Sequence, residues 1–194
     1  MKRAFIIHGW GGGPNDHWFP WLRKELENRG FSVITPTMPD TEHPKIDTWV
    51  AELKKIIDEP TEDTYLIGHS IACQTIMRYL ETLPEQKKIG RVIFIAGFFN
   101  LPNLREEEIL IAEPWLKTPI NTEKVKLHTK NIIALFSDND KDVPLSDSVI
   151  FKQRLDAKII IENNKGHFTA DDGVMEIPSA LKALLEISEE IKNE

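Results

Sequence analysis

The chain has 194 residues, 41% of them apolar and 28% charged, which suits one globular domain with a sizeable core. Its formal net charge is −7 with no long cationic block, which argues against nucleic acid and anionic membrane surfaces as main partners. The single cysteine, Cys73, excludes an intrachain disulfide and a cysteine-built metal site. With no secretory leader and no bilayer-length apolar run, a reducing cytoplasmic setting is expected.

Strand and helix patterns alternate from end to end. Ala4–Ile7 reads as a buried strand, followed by a glycine-rich loop. Trp18–Arg29 has helical spacing, with Trp18, Trp21, Leu22 and Leu26 on one face and Gly30 as its stop. Phe31–Thr35 is the second strand, and Ile46–Ile57 a helix with the stripe Trp49, Val50, Leu53 and Ile57. Thr64–Ile67 is the third strand, Ile71–Leu83 a helix, and Val92–Ala96 the fourth strand. Residues 98–130, interrupted by Pro102, Pro114 and Pro119, read as a short irregular insertion. The acidic run Glu106–Glu108 within it reads as a solvated face. Ile132–Phe136, helix Ser146–Arg154, strand Lys158–Ile161 and helix Met175–Ile191 complete the pattern, and the polar end Ser188–Glu194 is expected to fray. Short apolar strands separated by helices imply a parallel sheet covered on both faces, an α/β fold with about six strands in one domain over residues 1–194.

The most informative stretch is Tyr65-Leu66-Ile67-Gly68-His69-Ser70-Ile71-Ala72. It reads as a strand, then Gly-x-Ser-x-small, then a helix start, the pattern of a nucleophile elbow that lifts a serine oxygen above a sheet. Small residues are needed two before and two after the serine because the helix passes close to the strand. Gly68 meets this, and Ala72 departs from glycine by one methyl. The blander reading makes Ser70 a helix N-cap without chemistry.

A serine nucleophile needs a base, and the base needs a group that fixes its tautomer. His167, in Lys165-Gly166-His167-Phe168 after the last strand, is the candidate base. The acid comes from Ser137-Asp138-Asn139-Asp140-Lys141-Asp142-Val143-Pro144, with Asp140 preferred and Asp138 and Asp142 as alternatives. His43 and His128 read as surface residues, and His69 as shaping the elbow. For the oxyanion, one donor is the Ile71 N–H and the other comes from His8-Gly9-Trp10-Gly11-Gly12-Gly13-Pro14, assigned to Trp10 with Gly11 as fallback. That loop lacks the Gly-Lys-Ser/Thr ending of a phosphate-binding loop, and Pro14 breaks a dinucleotide pattern.

His8-Gly9-Trp10, the run Asn15-Asp16-His17-Trp18-Phe19-Pro20-Trp21-Leu22, Gly68-His69-Ser70, the Asp140–Pro144 turn and Gly166-His167-Phe168 carry a further signal. Together they resemble the small serine hydrolases related to retinoblastoma-binding protein nine, especially their bacterial YdeN-like members. The likeness covers nearly the whole chain. Its most specific part is the run through Trp21, since no general hydrolase chemistry demands it. The resemblance implies an α/β-hydrolase fold with no large lid, a Ser-Asp-His triad on Ser70, Asp140 and His167, and esterase-type activity.

Trp10, Phe98 and Phe168 adjoin loops at the carboxyl ends of strands and are the expected pocket walls, whereas Trp18, Trp21 and Trp49 read as core. The expected substrate is a small ester, thioester or amide, with short acyl chains in an open site and with no cofactor or metal. A serine peptidase, or a non-catalytic protein-interaction module on the same scaffold, are the alternatives. A metal-dependent hydrolase lacks a His-x-x-x-His motif or a carboxylate cluster at ligand spacing.

Overall fold

The computed structural model describes residues 1–190, with side chains through Glu186; the expectations for Ser188–Glu194 and for Ile191 as a helix end lie outside them. Six strands form one all-parallel sheet in the order β2-β1-β3-β4-β5-β6. They are β1 (Arg3–Ile7), β2 (Ser32–Ile34), β3 (Thr64–His69), β4 (Arg91–Ile95), β5 (Ile132–Ser137) and β6 (Lys158–Glu162). The central strands are buried on both faces, which is why they read as continuous apolar runs.

Alternate residues feed two cores. Phe5, Ile7, Leu66, Val92, Phe94, Ala134 and Phe136 face one way. They pack under α2 (Ile46–Ile57), α3 (Ile71–Glu81), α5 (Thr122–His128) and α6 (Asp147–Leu155). Ala4, Ile6, Tyr65, Ile67, Ile93, Ile95, Ile133 and Leu135 face the other way, toward α1 (Phe19–Glu27) and α7 (Pro178–Glu190). The chain runs outward from β1 to β2 and then crosses back to β3. Right-handed connections therefore put α1 on one face and α2, α3 and α6 on the other. Helix α7 returns to cover the face that α1 alone leaves open.

Residues 98–130 are more regular than expected. They contain α4 (Glu106–Lys117) and α5. Glu106, Glu107 and Glu108 form the acidic first turn of α4, complementing the helix dipole, and Arg105 and Glu108 make a reciprocal cap. Pro114 lies inside this helix. The carbonyl that loses its intrahelical partner belongs to Leu110, which is exposed, so water can serve it. Asn121 caps α5 by accepting from the Lys124 N–H.

His128 also differs from expectation: it is buried, not on the surface. Thr122, Val125 and His128 recur every three residues and form the inward stripe of α5, and His128 Nδ1–H donates to the Lys87 carbonyl at 2.8 Å. His43 is exposed. No helix among the described residues is long and apolar enough to cross a membrane.

Candidate active site

The strand order reverses direction between β1 and β3, and the loops leaving these two strands diverge there. The first loop carries His8–Gly13 and the second carries Ser70. Ser70 has φ 56° and ψ −123°, a backbone conformation that non-glycine residues avoid. Its N–H donates to the Ile95 carbonyl at 2.9 Å, and its carbonyl accepts from Cys73 N–H at 3.0 Å. Ser70 occupies the N-cap position of α3, yet its hydroxyl makes no capping hydrogen bond. The oxygen therefore stays available at the head of the sheet. Gly68 explains the tight turn, since a Cβ there would lie 2.8 Å from Ile76 Cδ1 and 3.1 Å from the Ala72 carbonyl carbon. Ala72 itself is fully buried, so the extra methyl is accommodated in the core.

His167 follows β6, on the same side of the sheet. Its Nδ1 lies 2.8 Å from Asp140 Oδ2, with the two side chains 17% and 2% exposed. The other Asp140 oxygen accepts from Asp142 N–H at 2.9 Å and Val143 N–H at 3.0 Å. This turn before Pro144 fixes the carboxylate with one oxygen aimed at the imidazole. Asp138 instead accepts from Asn164 N–H, and Asp142 is exposed. Burial pushes the His167 pKa down, but the Asp140 hydrogen bond and charge, helped by Asp142 and Asp172, outweigh it and leave it raised. Among the described residues no hydrogen bond joins His167 to the Ser70 hydroxyl; such contacts are often long in unliganded sites and tighten around substrate.

Asp140, Asp142 and His167 are close enough to be considered as metal ligands, with ligand atoms within 4.8 Å of one another. The Asp140–His167 contact at 2.8 Å is a direct hydrogen bond. Tetrahedral zinc would hold its ligand atoms roughly 3.3 Å apart. The donor set fits a hydrogen-bonded pair better than a metal centre.

Ser70 and His167 line one cavity of about 310 Å³, together with Trp10, Ile71 and Phe98. Phe98 is otherwise buried. Phe168, expected beside it, does not line it. Phe168 has φ 57°, which turns its side chain into the core of α1 and α7, where it is fully buried. Leu101, Leu104 and the pair Arg105–Glu108, from the segment read as irregular, form the outer wall instead.

The donors around the serine also separate. Ile71 is the first residue of α3, so its N–H has no intrahelical acceptor. Gly11 N–H is committed to the Thr41 carbonyl at 2.8 Å, whereas Trp10 N–H has no acceptor among the described residues. His8, to which sequence reasoning gave no role, holds this loop. Its Nε2 accepts from Met38 N–H at 3.0 Å, so its proton sits on Nδ1, which donates to the Gly9 carbonyl at 2.8 Å. Burial keeps the His8 pKa low and the ring neutral. Burial next to Met38 cannot be read from the sequence around His8.

An elbow serine, a histidine hydrogen-bonded to a carboxylate and two free N–H donors at the switch point of a parallel sheet define a hydrolase of the α/β class. The serine hydrolase family profile matches residues 4–186, and the chain belongs to this family. It is 32% identical to YdeN of Bacillus subtilis (strain 168) over 178 residues, 91% of each chain. It is 30% identical to the serine hydrolase RBBP9 of Rattus norvegicus over 169 residues, 86% of this chain and 87% of that one. The crystal structure of the B. subtilis ydeN product superposes with a TM-score of 0.88, covering 95% of this chain and 97% of that one at 30% identity. Est1E of Butyrivibrio proteoclasticus, solved with ferulic acid bound, shares the fold at a TM-score of 0.76 and 16% identity, covering 100% of this chain and 90% of its own.

Proposed function

We propose that the protein cleaves small carboxylic esters, or the related thioesters, through an acyl-enzyme on Ser70. The observation that carries this reading is the 2.8 Å Asp140–His167 hydrogen bond, with His167 lining one cavity with a serine held in a strained elbow. His167 Nε2 takes the Ser70 proton as Oγ attacks the carbonyl carbon, and then gives it to the departing alcohol or thiol. Asp140 holds the proton on Nδ1 and stabilises the imidazolium. The backbone N–H groups of Trp10 and Ile71 receive the oxyanion. Water, deprotonated by His167, then releases the acid and restores Ser70.

A cavity of about 310 Å³ lies at the small end of ligand sites, which favours short acyl chains. Esters rank above amides because an amide requires protonation of a poorer leaving group. The reading takes a small molecule as substrate and a reducing compartment as setting, and assigns no cofactor. The test is a series of p-nitrophenyl esters from acetate to palmitate. The expected result is highest kcat/KM at acetate or butyrate; a clear preference for palmitate contradicts the assignment of this cavity.

A further inference from the structure

The run through His17 and Trp18 is the part of the sequence that hydrolase chemistry does not explain, and the structure gives it a task. The loop after β6 that carries His167 has no regular backbone pairing, yet its ring must be placed to a fraction of an ångström to take a proton from Ser70. The leading part of the loop is docked from the end of β5: Ser137 Oγ accepts from Lys165 N–H, and Asn139 Oδ1 accepts from Gly166 N–H. The trailing part is docked by three other side chains. His69 Nε2 lies 2.8 Å from the His167 carbonyl. Trp18 Nε1–H donates to the Phe168 carbonyl at 3.1 Å. His17 Nδ1 accepts from Ala170 N–H at 2.9 Å.

We propose that His17, Trp18 and His69 form a positioning clamp that sets where His167 stands relative to Ser70. The inference rests on the reading of His167 as the base. The tautomers follow from the partners. A carbonyl only accepts, so His69 carries its proton on Nε2; His17 receives an N–H, so its Nδ1 is bare. The rings interlock, with His69 centred 5.7 Å from His17, 6.1 Å from Trp18 and 5.1 Å from His167. Trp18 is fully buried and His69 nearly so, which lets each hold one orientation. Two of the joined residues are in left-handed backbone, His17 at φ 50° and Phe168 at φ 57°, and such strain persists only where surrounding contacts enforce it. His69 also immediately precedes Ser70, so one side chain ties the nucleophile's turn to the base's loop. None of the three lines the cavity that holds Ser70 and His167, so they act through His167.

The test compares variants that remove one hydrogen bond with variants that restore it. Trp18→Phe keeps an aromatic side chain, smaller by one ring, and loses the donor. His69→Leu loses the donor and His69→Gln keeps an N–H near Nε2. His17→Phe loses the acceptor and His17→Asn keeps one near Nδ1. Two readouts are taken on proteins whose melting curves show a folded state: steady-state hydrolysis of p-nitrophenyl butyrate, and hydrogen exchange over residues 167–170. The clamp predicts that Trp18→Phe, His69→Leu and His17→Phe lower kcat by roughly 10- to 100-fold with KM changed less than about twofold, since a 1 Å misplacement has an effect of that order. Exchange over 167–170 rises in the same variants, and His69→Gln and His17→Asn recover most of both. His17→Phe, at the least buried of the three positions, decides the matter where the others fail to fold. Wild-type kcat in folded His17→Phe or Trp18→Phe, losses confined to KM, or equal losses in the Gln and Leu variants overturn the clamp. Absence of Ser70-dependent turnover in wild type overturns the serine-esterase reading first, and the clamp's catalytic role with it.

Discussion

Gly9 packs directly against Ser70: a Cβ on Gly9 would lie 3.2 Å from Ser70 Cβ and 3.2 Å from His69 Nδ1. The loop that carries Trp10 and the turn that carries Ser70 are thus in contact through a residue with no side chain. Gly9→Ala pushes these two apart by a few tenths of an ångström. Ester kcat is expected to fall about tenfold, equivalent to about 1.4 kcal/mol of transition-state stabilisation. Steady-state kinetics with p-nitrophenyl butyrate checks this, and an unchanged kcat would show that the loop yields without consequence.

Gly68→Ala acts on stability. The added methyl would meet Ile76 Cδ1 at 2.8 Å and the α3 backbone at 3.1 Å, where only the isoleucine can move easily. Overpacking of this kind is expected to destabilise the protein by about 1–3 kcal/mol. Urea unfolding reads it as a lowered midpoint at an unchanged slope.

In the proposed mechanism the pH dependence of catalysis follows from His167. The base works only when neutral, and Asp140 favours its protonated form, so its pKa is raised above 6.5 despite burial. Activity therefore falls as pH drops through a value above 6.5. Asp140→Asn removes the charge that raises it. The acid limb of kcat/KM then moves to lower pH, while the rate at the optimum drops by several orders of magnitude, roughly 10⁴-fold in comparable triads.

Much of the fold was legible and the misses share a cause. Apolar strands such as Ile132–Ser137 and the stripe of Ile46–Ile57 are local patterns and emerge from spacing alone. Helix α4 was masked by Pro114, although its three leading glutamates and Arg105 are a start signal. Ser70, Asp140 and His167 stand out in the sequence because each follows a strand in a required order, and the structure brings Asp140 to His167 and sets His167 and Ser70 on one cavity. Phe168 departs from its expected place on the pocket wall because its positive φ turns it into the core, which no sequence pattern announces. The tasks of His8 and His17 depend on partners 30 and 153 residues away. Such contacts exist only once the chain is folded.

Stability should fall in mild acid. The pKa values of His8, His17 and His69 are lowered, in each case chiefly by burial. In the unfolded chain they protonate near 6.5, so folding stability is full above that pH and is lost as pH falls through the folded values. His167 acts oppositely: its raised pKa favours folding below 6.5 and this fades as pH rises through the folded value. His69, which burial holds well below 6.5, sets the sign of the balance. The urea midpoint is expected to be lower at about pH 5 than at about pH 7.5, and His69→Gln should flatten the difference. A midpoint that rises toward pH 5 would contradict the assignment of neutral buried histidines.

The most direct test of the central claim, an activated Ser70, is labelling with a fluorophosphonate followed by intact-mass measurement, with wild type beside Ser70→Ala. The account predicts one adduct on the wild type and none on the variant. No adduct on folded wild type, or equal labelling of both proteins, would contradict it.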